Sequence, residues 1–223
     1  MFCTKCGNKV EDTARFCSAC GNPLMAAPPM PPQQPPMQQP PVQSAPAQPV
    51  PQPDGIRRLY FSVNGVSFVN YKFIIRDAAG NDIYNAATET VSMVRYAAKL
   101  CDLANREIFM VEQQSKMTMM AMNFDMKVNG QVVSEILQIV KMTKYAFELP
   151  QLGISIDGDF IGHTYRFLRG GQLIGEVKRS MMSWGDAYEI SFADPNLEHP
   201  LLAAVLAIEL VTIAQRNNRR RRR

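Results

Sequence analysis

The feature that most constrains this chain is a phrase of seven residues that occurs twice within its first 22 residues. The copies read F-C-T-K-C-G-N at 2–8 and F-C-S-A-C-G-N at 16–22. Each copy places two cysteines three positions apart, a spacing that brings two sulfurs to one ion without strain. Four such thiolates are a common ligand set of structural zinc. The predicted ligands of one Zn²⁺ ion are Cys3, Cys6, Cys17 and Cys20.

The ribbon that contains these cysteines is expected to depend on its metal ion. About twenty residues bury too little apolar surface to fold alone, and a bound metal supplies the missing stability. Because cysteine occupies all four ligand positions, no position is left for a reacting water, and the predicted site is structural. Two disulfides in a secreted domain are the alternative, which the C-x2-C spacing disfavours. Phe2 and Phe16 are expected to form a small apolar cover, and Gly7 and Gly21 to adopt positive φ.

Composition divides the rest of the chain into segments. Residues 25–55 are a predicted Pro/Gln-rich disordered linker, since 25–53 carry no charge and hold 12 of the 16 prolines. Proline fixes φ and removes a backbone donor, so such a segment samples extended conformations. A ligand for a proline-recognition domain is the alternative. We therefore place a zinc ribbon at 1–24, a folded domain at 56–215 and an Arg-rich tail at 216–223.

The folded domain has the pattern of short β-strands separated by turn signals. Turns are predicted at 77–81, 129–130, 158 and 170–171. At Gly158, which Asp157 and Asp159 flank, we expect a solvated hairpin between strands at 154–157 and 164–169. The number of strand-like segments predicts a mainly β domain of about ten to twelve antiparallel strands. A sheet of that size tends to close, because closure removes exposed edges.

The last part of the domain changes from strand to helix periodicity. A helix is predicted at about 199–215, with apolar residues on every side of it. Its apolar stretch of about 14 residues spans ~21 Å, which is short of the ~30 Å core of a bilayer. Glu209 also interrupts the stretch, so burial within the protein is expected and a transmembrane span is disfavoured. Glu209 then needs a partner, or a place near the helix end where solvent reaches it.

Three phrases carry a resemblance to a known family: L-I-G-E-V-K-R at 173–179, G-D-A-Y-E-I at 185–190 and L-L-A-A-V-L-A-I at 201–208. With them, residues 58–215 resemble the LURP-one-related (tubby C-terminal-like) family. The resemblance implies a tubby-like closed antiparallel barrel of about twelve strands threaded by its hydrophobic C-terminal helix. The front of the chain resembles the zinc-ribbon modules of many bacterial proteins. Tubby proteins, which are relatives by fold, bind phosphoinositides, but no such motif matches this sequence and no lipid site is carried over.

The sequence offers few residues for catalysis. No phosphate-binding loop, nucleophile elbow or H-E-x-x-H motif occurs. His163 and His199 are expected to be structural or capping residues, and Cys101 a small buried one. Methionines crowd 117–126, where barrel packing is favoured over an adaptable or metal-binding surface. Trp184 is expected either to anchor an exposed hairpin tip or to pack half-buried in the barrel.

Basic charge is concentrated at the C-terminus. The net charge is +4, but six arginines lie in the last eight residues, and residues 54–215 hold 15 basic and 18 acidic side chains, a balance of −3. The tail is expected to be solvated and disordered. It is either a solubilising terminus or a contact for anionic surfaces. The candidate contact residues are Arg219, Arg220, Arg221, Arg222 and Arg223.

These features predict a non-enzymatic binding or scaffold protein, cytoplasmic and compatible with a peripheral place at the membrane. Its expected partner is a protein or an anionic lipid surface. A nucleic-acid-associated or transcription-linked zinc-ribbon protein is the alternative, although the tail has no aromatic residue for base stacking, which disfavours sequence-specific reading. An enzyme that acts on a lipid or small molecule is the last alternative, because a threaded helix would fill the interior where a substrate would bind.

Overall fold

The structure, a computed structural model, describes residues 2–3, 5–11, 14, 16–21, 54–67, 70–92, 95–115, 121–141, 144–182 and 185–221. The chain divides into two compact units, Met1–Pro49 and Val50–Arg223, which are described one at a time. The predicted linker lies outside the described residues apart from its last two positions, so its disorder stays a prediction.

The larger unit is a closed barrel of antiparallel strands followed by a helix. Its twelve described strands are β1 Arg57–Ser67, β2 Asn70–Arg76, β3 Asp82–Ser92, β4 Arg95–Cys101, β5 Glu107–Gln113, β6 Phe124–Val128, β7 Gln131–Lys141, β8 Lys144–Leu149, β9 Ile154–Asp159, β10 Thr164–Arg169, β11 Gln172–Met182 and β12 Gly185–Phe192. Two 3-10 turns, Pro150–Leu152 and Pro195–Leu197, follow β8 and β12. Helix α1 spans Glu198–Arg221.

Each strand pairs with its sequence neighbours, and β12 pairs with β1 to close the ring. In the closing register Arg57 lies opposite Phe192, and Phe61 lies opposite Tyr188. Closure satisfies the backbone donors and acceptors that an open sheet of this size would leave at its two edges. The predicted mainly β fold, with a closed antiparallel barrel and a C-terminal helix, is confirmed.

Alternation along the strands sends one set of side chains into the barrel. On β10, for example, Tyr165 and Phe167 are buried while Thr164 and Arg166 are exposed. The inward set is rich in aromatic rings that contact one another across neighbouring strands. The ring centroids of Phe61 and Phe73 lie 4.9 Å apart. Such pairs add to the stability that apolar burial provides.

Helix α1 fills the space that the strands enclose. Every residue from 201 to 214 is buried, and the side chains of 201–207 are 0% exposed. A sequence that is apolar on all sides suits this position, because core side chains surround the helix in every direction. Among the described residues, the stretch 195–217 is long and apolar enough to cross a membrane, and most of it is buried inside the barrel, as a core helix is.

The direction of α1 distinguishes the two ends of the barrel. At the helix-start end, Glu198 contacts Arg57 and Tyr84, near the beginnings of β1 and β3. At the helix-exit end, β9 turns into β10 through residues 160–163, and His163 in this turn faces Glu209. The helix continues from Glu209 to Arg221, about 18 Å further at 1.5 Å per residue. Its C-terminal turns, with Arg216 exposed, therefore emerge at the helix-exit end.

The predicted turn at Gly158 is wrong. Strand β9 runs through this residue to Asp159, and Gly158 pairs with Tyr165 of β10. A Cβ atom at position 158 would lie 2.5 Å from the carbonyl oxygen of Thr164 and 2.6 Å from the Cα of Tyr165. The close approach of two backbones, with φ at 141°, is what requires glycine here. Asp159 supplies the turn chemistry instead, since its Oδ1 accepts hydrogen bonds from the N–H groups of Ile161 and Gly162.

The helix is longer than predicted. It extends through Arg221, so 216–221 are helical where the sequence led us to expect a disordered tail from 216. Arginine is a good helix former, and each added residue gains a backbone hydrogen bond once the helix exists. Cationic residues are also favoured at a helix C-terminus by the helix dipole. Arg222 and Arg223 lie outside the described residues.

Candidate metal centre and the polar contacts of the barrel

The four cysteine sulfurs of the N-terminal unit converge on one point. All four Sγ atoms lie within 4.8 Å of one another. The Sγ atoms of Cys3 and Cys20 are 3.7 Å apart, and those of Cys6 and Cys17 are 3.6 Å apart. Zinc–sulfur bonds of ~2.3 Å in a tetrahedron require sulfur–sulfur distances of about 3.8 Å, whereas a disulfide requires ~2.05 Å. The cysteines are free thiols that fit one structural Zn²⁺ ion, as predicted.

The backbone repeats the same turn at each half of this centre. The N–H of Gly7 donates to the carbonyl of Cys3 at 2.9 Å, and the N–H of Gly21 donates to that of Cys17 at 2.8 Å. Both glycines have positive φ, 74° and 67°, as the sequence predicted. The duplicated phrase therefore folds into two equivalent knuckles, each of which presents a pair of sulfurs.

The electrostatics of the centre favour thiolate. Hydrogen bonds from the backbone N–H groups of Lys5 and Cys6 lower the pKa of the Cys3 thiol to about 6. A thiolate is the form that ligates a metal, so this backbone prepares Cys3 for Zn²⁺. Zinc would cross-link the two knuckles, and four protein ligands leave no open position for a reacting molecule.

The two phenylalanines beside the knuckles do not cover the centre as predicted. Phe2 is 67% exposed and Phe16 is 63% exposed. The small core of this unit consists of Cys3, Val10 and Cys17 instead. With Cys3 and Cys17 buried beside one valine, the rings are left on the surface, where two aromatic side chains are available for contact.

In the barrel, a buried carboxylate holds the start of α1. Glu198 accepts hydrogen bonds from the Nε and Nη2 atoms of Arg57, the latter at 3.2 Å, and from the hydroxyl of Tyr84 at 2.6 Å. Burial and the bond to Glu198 raise the pKa of Tyr84, so the hydroxyl remains a donor. The sequence gives no local signal of this cluster, because Arg57 and Glu198 are 141 residues apart.

A second buried carboxylate lies at the other end of the barrel. The Oε1 atom of Glu209 is 3.1 Å from the Nδ1 atom of His163, and both side chains are more than nine-tenths buried. The two atoms are close without forming an aligned hydrogen bond. The His163 ring also stacks on Tyr188 with centroids 3.8 Å apart. His163 is thus structural, and it is the partner that Glu209 was predicted to need. Burial and the charge of Glu209 raise the pKa of nearby Tyr165.

Of the other residues that the sequence highlighted, some pack against the core and the rest lie outside the described residues. The His199 ring lies 6.2 Å from the ring of Tyr84 and 6.0 Å from that of Phe109, a packing position at the helix start. Cys101 is half-buried, and burial raises the pKa of its thiol. Met126 is buried and Met122 packs against the core. Four residues lie outside the described residues: Met117, Met119, Met120 and Trp184.

The outer surface carries an open groove of about 380 Å³ over β2, β3 and β4. Its charged lining residues are Lys72, Glu89 and Lys99. The Nζ of Lys99 lies 2.8 Å from Glu89 and 3.4 Å from Glu107, so carboxylates already neutralise its charge. The groove therefore presents little net charge for an ionic ligand.

A ribbon with four thiolates followed by a closed barrel around a C-terminal helix defines a structural-metal protein with a tubby-like domain. Two family profiles match the chain in that order, the zinc-ribbon domain at 2–24 and the LURP-one-related family at 57–209. The chain belongs to the LURP-one-related family. It is also 25% identical over 112 residues to the uncharacterized protein YxjI of Bacillus subtilis (strain 168), which covers 50% of this chain and 67% of that protein. No solved structure matches.

Proposed function

We propose that the protein is a non-enzymatic binding protein whose barrel associates with an anionic membrane surface and whose ribbon contacts a second partner. The observation that supports a binding role is the filled interior. Helix α1 occupies the lumen, where the side chains of 201–207 are 0% exposed, so the helix fills the place where a substrate would bind inside a barrel. An exterior surface is then the place where this domain acts.

The positive charge at the end of α1 favours an anionic partner. The barrel domain is mildly acidic, but α1 carries arginines out at one end, with Arg216 exposed and the helix continuing to Arg221. Each basic residue near an anionic leaflet contributes ~1 kcal/mol of attraction. Five consecutive arginines at 219–223 of the sequence are enough for several such contacts.

Sedimentation with lipid vesicles tests this role. Full-length protein is mixed at physiological salt with phosphatidylcholine vesicles, with or without phosphatidylserine. A variant with glutamine at 219–223 is compared with a matched variant with lysine at the same positions. We expect binding to the anionic vesicles alone, loss of binding in the glutamine variant and retention in the lysine variant. Absence of wild-type binding to the anionic vesicles would overturn the proposal, and duplex DNA as a competitor distinguishes a nucleic-acid role.

The ribbon is the second contact module in this proposal. Its structural zinc leaves no reactive position, and Phe2 and Phe16 present two exposed rings. Aromatic side chains are enriched at the centres of protein interfaces. Affinity capture with wild type, with a ribbon-deleted chain and with a Phe2→Ser, Phe16→Ser variant measures the role. A partner that is lost with the ribbon but kept by the serine variant would contradict the assignment to the two rings.

A further inference from the structure

We propose that the helix-exit end of the barrel is an apolar docking surface that enters the interface of an anionic bilayer while the α1 arginines contact the headgroups. This inference rests on the function proposed above and adds the face of the barrel that meets the lipid. The docking surface is defined by five large apolar side chains, each between 38% and 85% exposed: Val63, Val140, Tyr145, Ile161 and Met181.

Strand geometry explains why apolar side chains are exposed at this end. Val140 of β7 and Tyr145 of β8 lie opposite each other in the register. Alternation places Val140 on the same side as buried Ile136, and Tyr145 on the same side as buried Phe147. These two residues therefore continue the core-facing side of the hairpin beyond the part that α1 and its neighbours cover.

The same relationship holds on two other strands. Met181 lies on the side of β11 that carries buried Val177, and Val63 lies on the side of β1 that carries buried Phe61. Arg179, between Val177 and Met181 on that side, is exposed as well and adds a positive charge. Ile161, in the turn between β9 and β10, is 67% exposed at the same end. Among the described residues, apolar side chains of the barrel's inner side are thus exposed at the helix-exit end.

Charge distinguishes this end from the opposite one. Exposed apolar residues occur at the helix-start end too, namely Leu103, Val132, Val133 and Leu173. That end, however, has turns built on carboxylates, since Asp77, Asp102 and Asp194 each accept backbone hydrogen bonds there. The described turn at the helix-exit end has one such carboxylate, Asp159, and α1 brings Arg216 to the same end. At the helix-start end Arg106 pairs with Asp102, so its arginine is already neutralised, whereas an anionic surface is attracted to the end where α1 brings out its arginines.

The combination of features matches the physics of interfacial binding. Stable attachment of a peripheral protein takes two signals, an apolar insertion and a basic patch, because each alone is weak. Tyrosine is enriched at the headgroup level, where its ring is apolar and its hydroxyl stays hydrated. Salt screens the basic patch but not the apolar contact. Binding should therefore weaken with salt to a residual level that the apolar side chains set.

Two triple variants of the full chain test the docking surface. The exit variant carries Tyr145→Ser, Ile161→Ser and Met181→Ser. The matched control carries Leu103→Ser, Val132→Ser and Leu173→Ser, three exposed apolar residues at the helix-start end. We expect the exit variant to partition about tenfold less onto phosphatidylserine vesicles, since it loses the burial of three side chains, and the control to bind as wild type. Circular dichroism melting verifies that both variants fold.

A quenching experiment locates the inserted end independently. In a Trp184→Phe background, a single tryptophan is placed by Met181→Trp or by Leu173→Trp, and the vesicles carry brominated lipid. Quenching of the 181 probe and not of the 173 probe is expected. If the wild type binds anionic vesicles but the exit variant binds equally well and neither probe is quenched, the docking surface is wrong while the membrane role stands. A wild-type dimer that the exit variant converts to monomer in analytical ultracentrifugation would assign this face to a second copy instead.

Discussion

The Nδ1 atom of His163 lies 3.1 Å from the Oε1 atom of Glu209, and this contact connects the turn between β9 and β10 to helix α1 inside the barrel. His163 adopts a φ of 53°, which is uncommon outside glycine and is found most often in asparagine, aspartate and histidine among the other residues. A glutamate in the middle of an apolar helix would be costly without a partner. The backbone conformation of the turn between β9 and β10 therefore places the imidazole of His163 next to the buried carboxylate of Glu209.

Removal of His163 should destabilise the barrel strongly. His163→Asn keeps the positive φ accessible but removes the imidazole that stacks on Tyr188 and faces Glu209, so a buried polar side chain loses its neighbour, which costs about 1–3 kcal/mol. Glu209→Gln should cost less, since it keeps the size of the side chain and an amide is less costly to bury than a carboxylate. Urea denaturation of both variants and of the double variant measures the coupling. Strictly additive costs would contradict a direct interaction between the two side chains.

Substitution of Gly158 should be far worse than substitution of a glycine in open space. Gly158→Ala places a Cβ within 2.6 Å of two backbone atoms of β10, so strand pairing must shift, and we expect a loss of about 3 kcal/mol or more. Gly130→Ala, in the turn between β6 and β7, meets no atom within 4 Å and carries only the strain of a φ of 78°, about 1 kcal/mol. Denaturant midpoints of the two variants give the comparison. Equal losses would mean that backbone conformation and not the close approach governs position 158.

Zinc should be needed by the ribbon and not by the barrel. Cys6→Ser removes one of the four thiolates, and the variant should lose most of its bound zinc, because structural sites depend on all four ligands. Cys101→Ser, the matched control, changes the cysteine outside the cluster and should keep one zinc per chain. Elemental analysis measures the metal, and calorimetry should show the same barrel transition in both variants, since the barrel is a compact unit with its own core. A lowered barrel transition in the Cys6→Ser variant would show that the units depend on each other.

The stability of the barrel should fall as the pH drops through the range in which histidine titrates. His199 is partly exposed, but its ring packs against the rings of Tyr84 and Phe109. This burial lowers the pKa of His199 below its usual value, and the negative charge of Glu198 opposes the shift. Below about pH 6.5 the unfolded chain binds a proton that the folded chain resists, so unfolding becomes easier. This contribution is absent above that pH.

The His199→Gln variant isolates this effect. We expect the difference in unfolding free energy between pH 7.5 and pH 5.5 to be smaller in His199→Gln than in the wild type, with urea denaturation as the measurement. The same pH dependence in both proteins would place its origin in other groups.

Local signals in the sequence were sufficient for the metal centre and for most of the strands. The two C-x2-C-G phrases need only a short chain to bring four sulfurs together, and the turn signals at 77–81, 129–130 and 170–171 fall between strands as predicted. The exception at Gly158 arises because glycine has two uses, a turn with positive φ or a close approach of strands, and the sequence does not distinguish them. The predicted cover by Phe2 and Phe16 was wrong for a similar reason, since an apolar residue beside a small core can point toward that core or toward solvent.

The sequence by itself determined the thiolate set, the β character of the domain and the need for the C-terminal helix to be buried, because spacing and periodicity are properties of neighbouring residues. Only the tertiary structure decided which buried charges meet, as in the pairs Arg57 with Glu198 and His163 with Glu209. It also decided that Val140, Tyr145 and Met181 stand exposed at the end where the arginines emerge. These relationships exist only after β12 closes on β1, since closure brings distant parts of the chain together and sets where the filled interior ends.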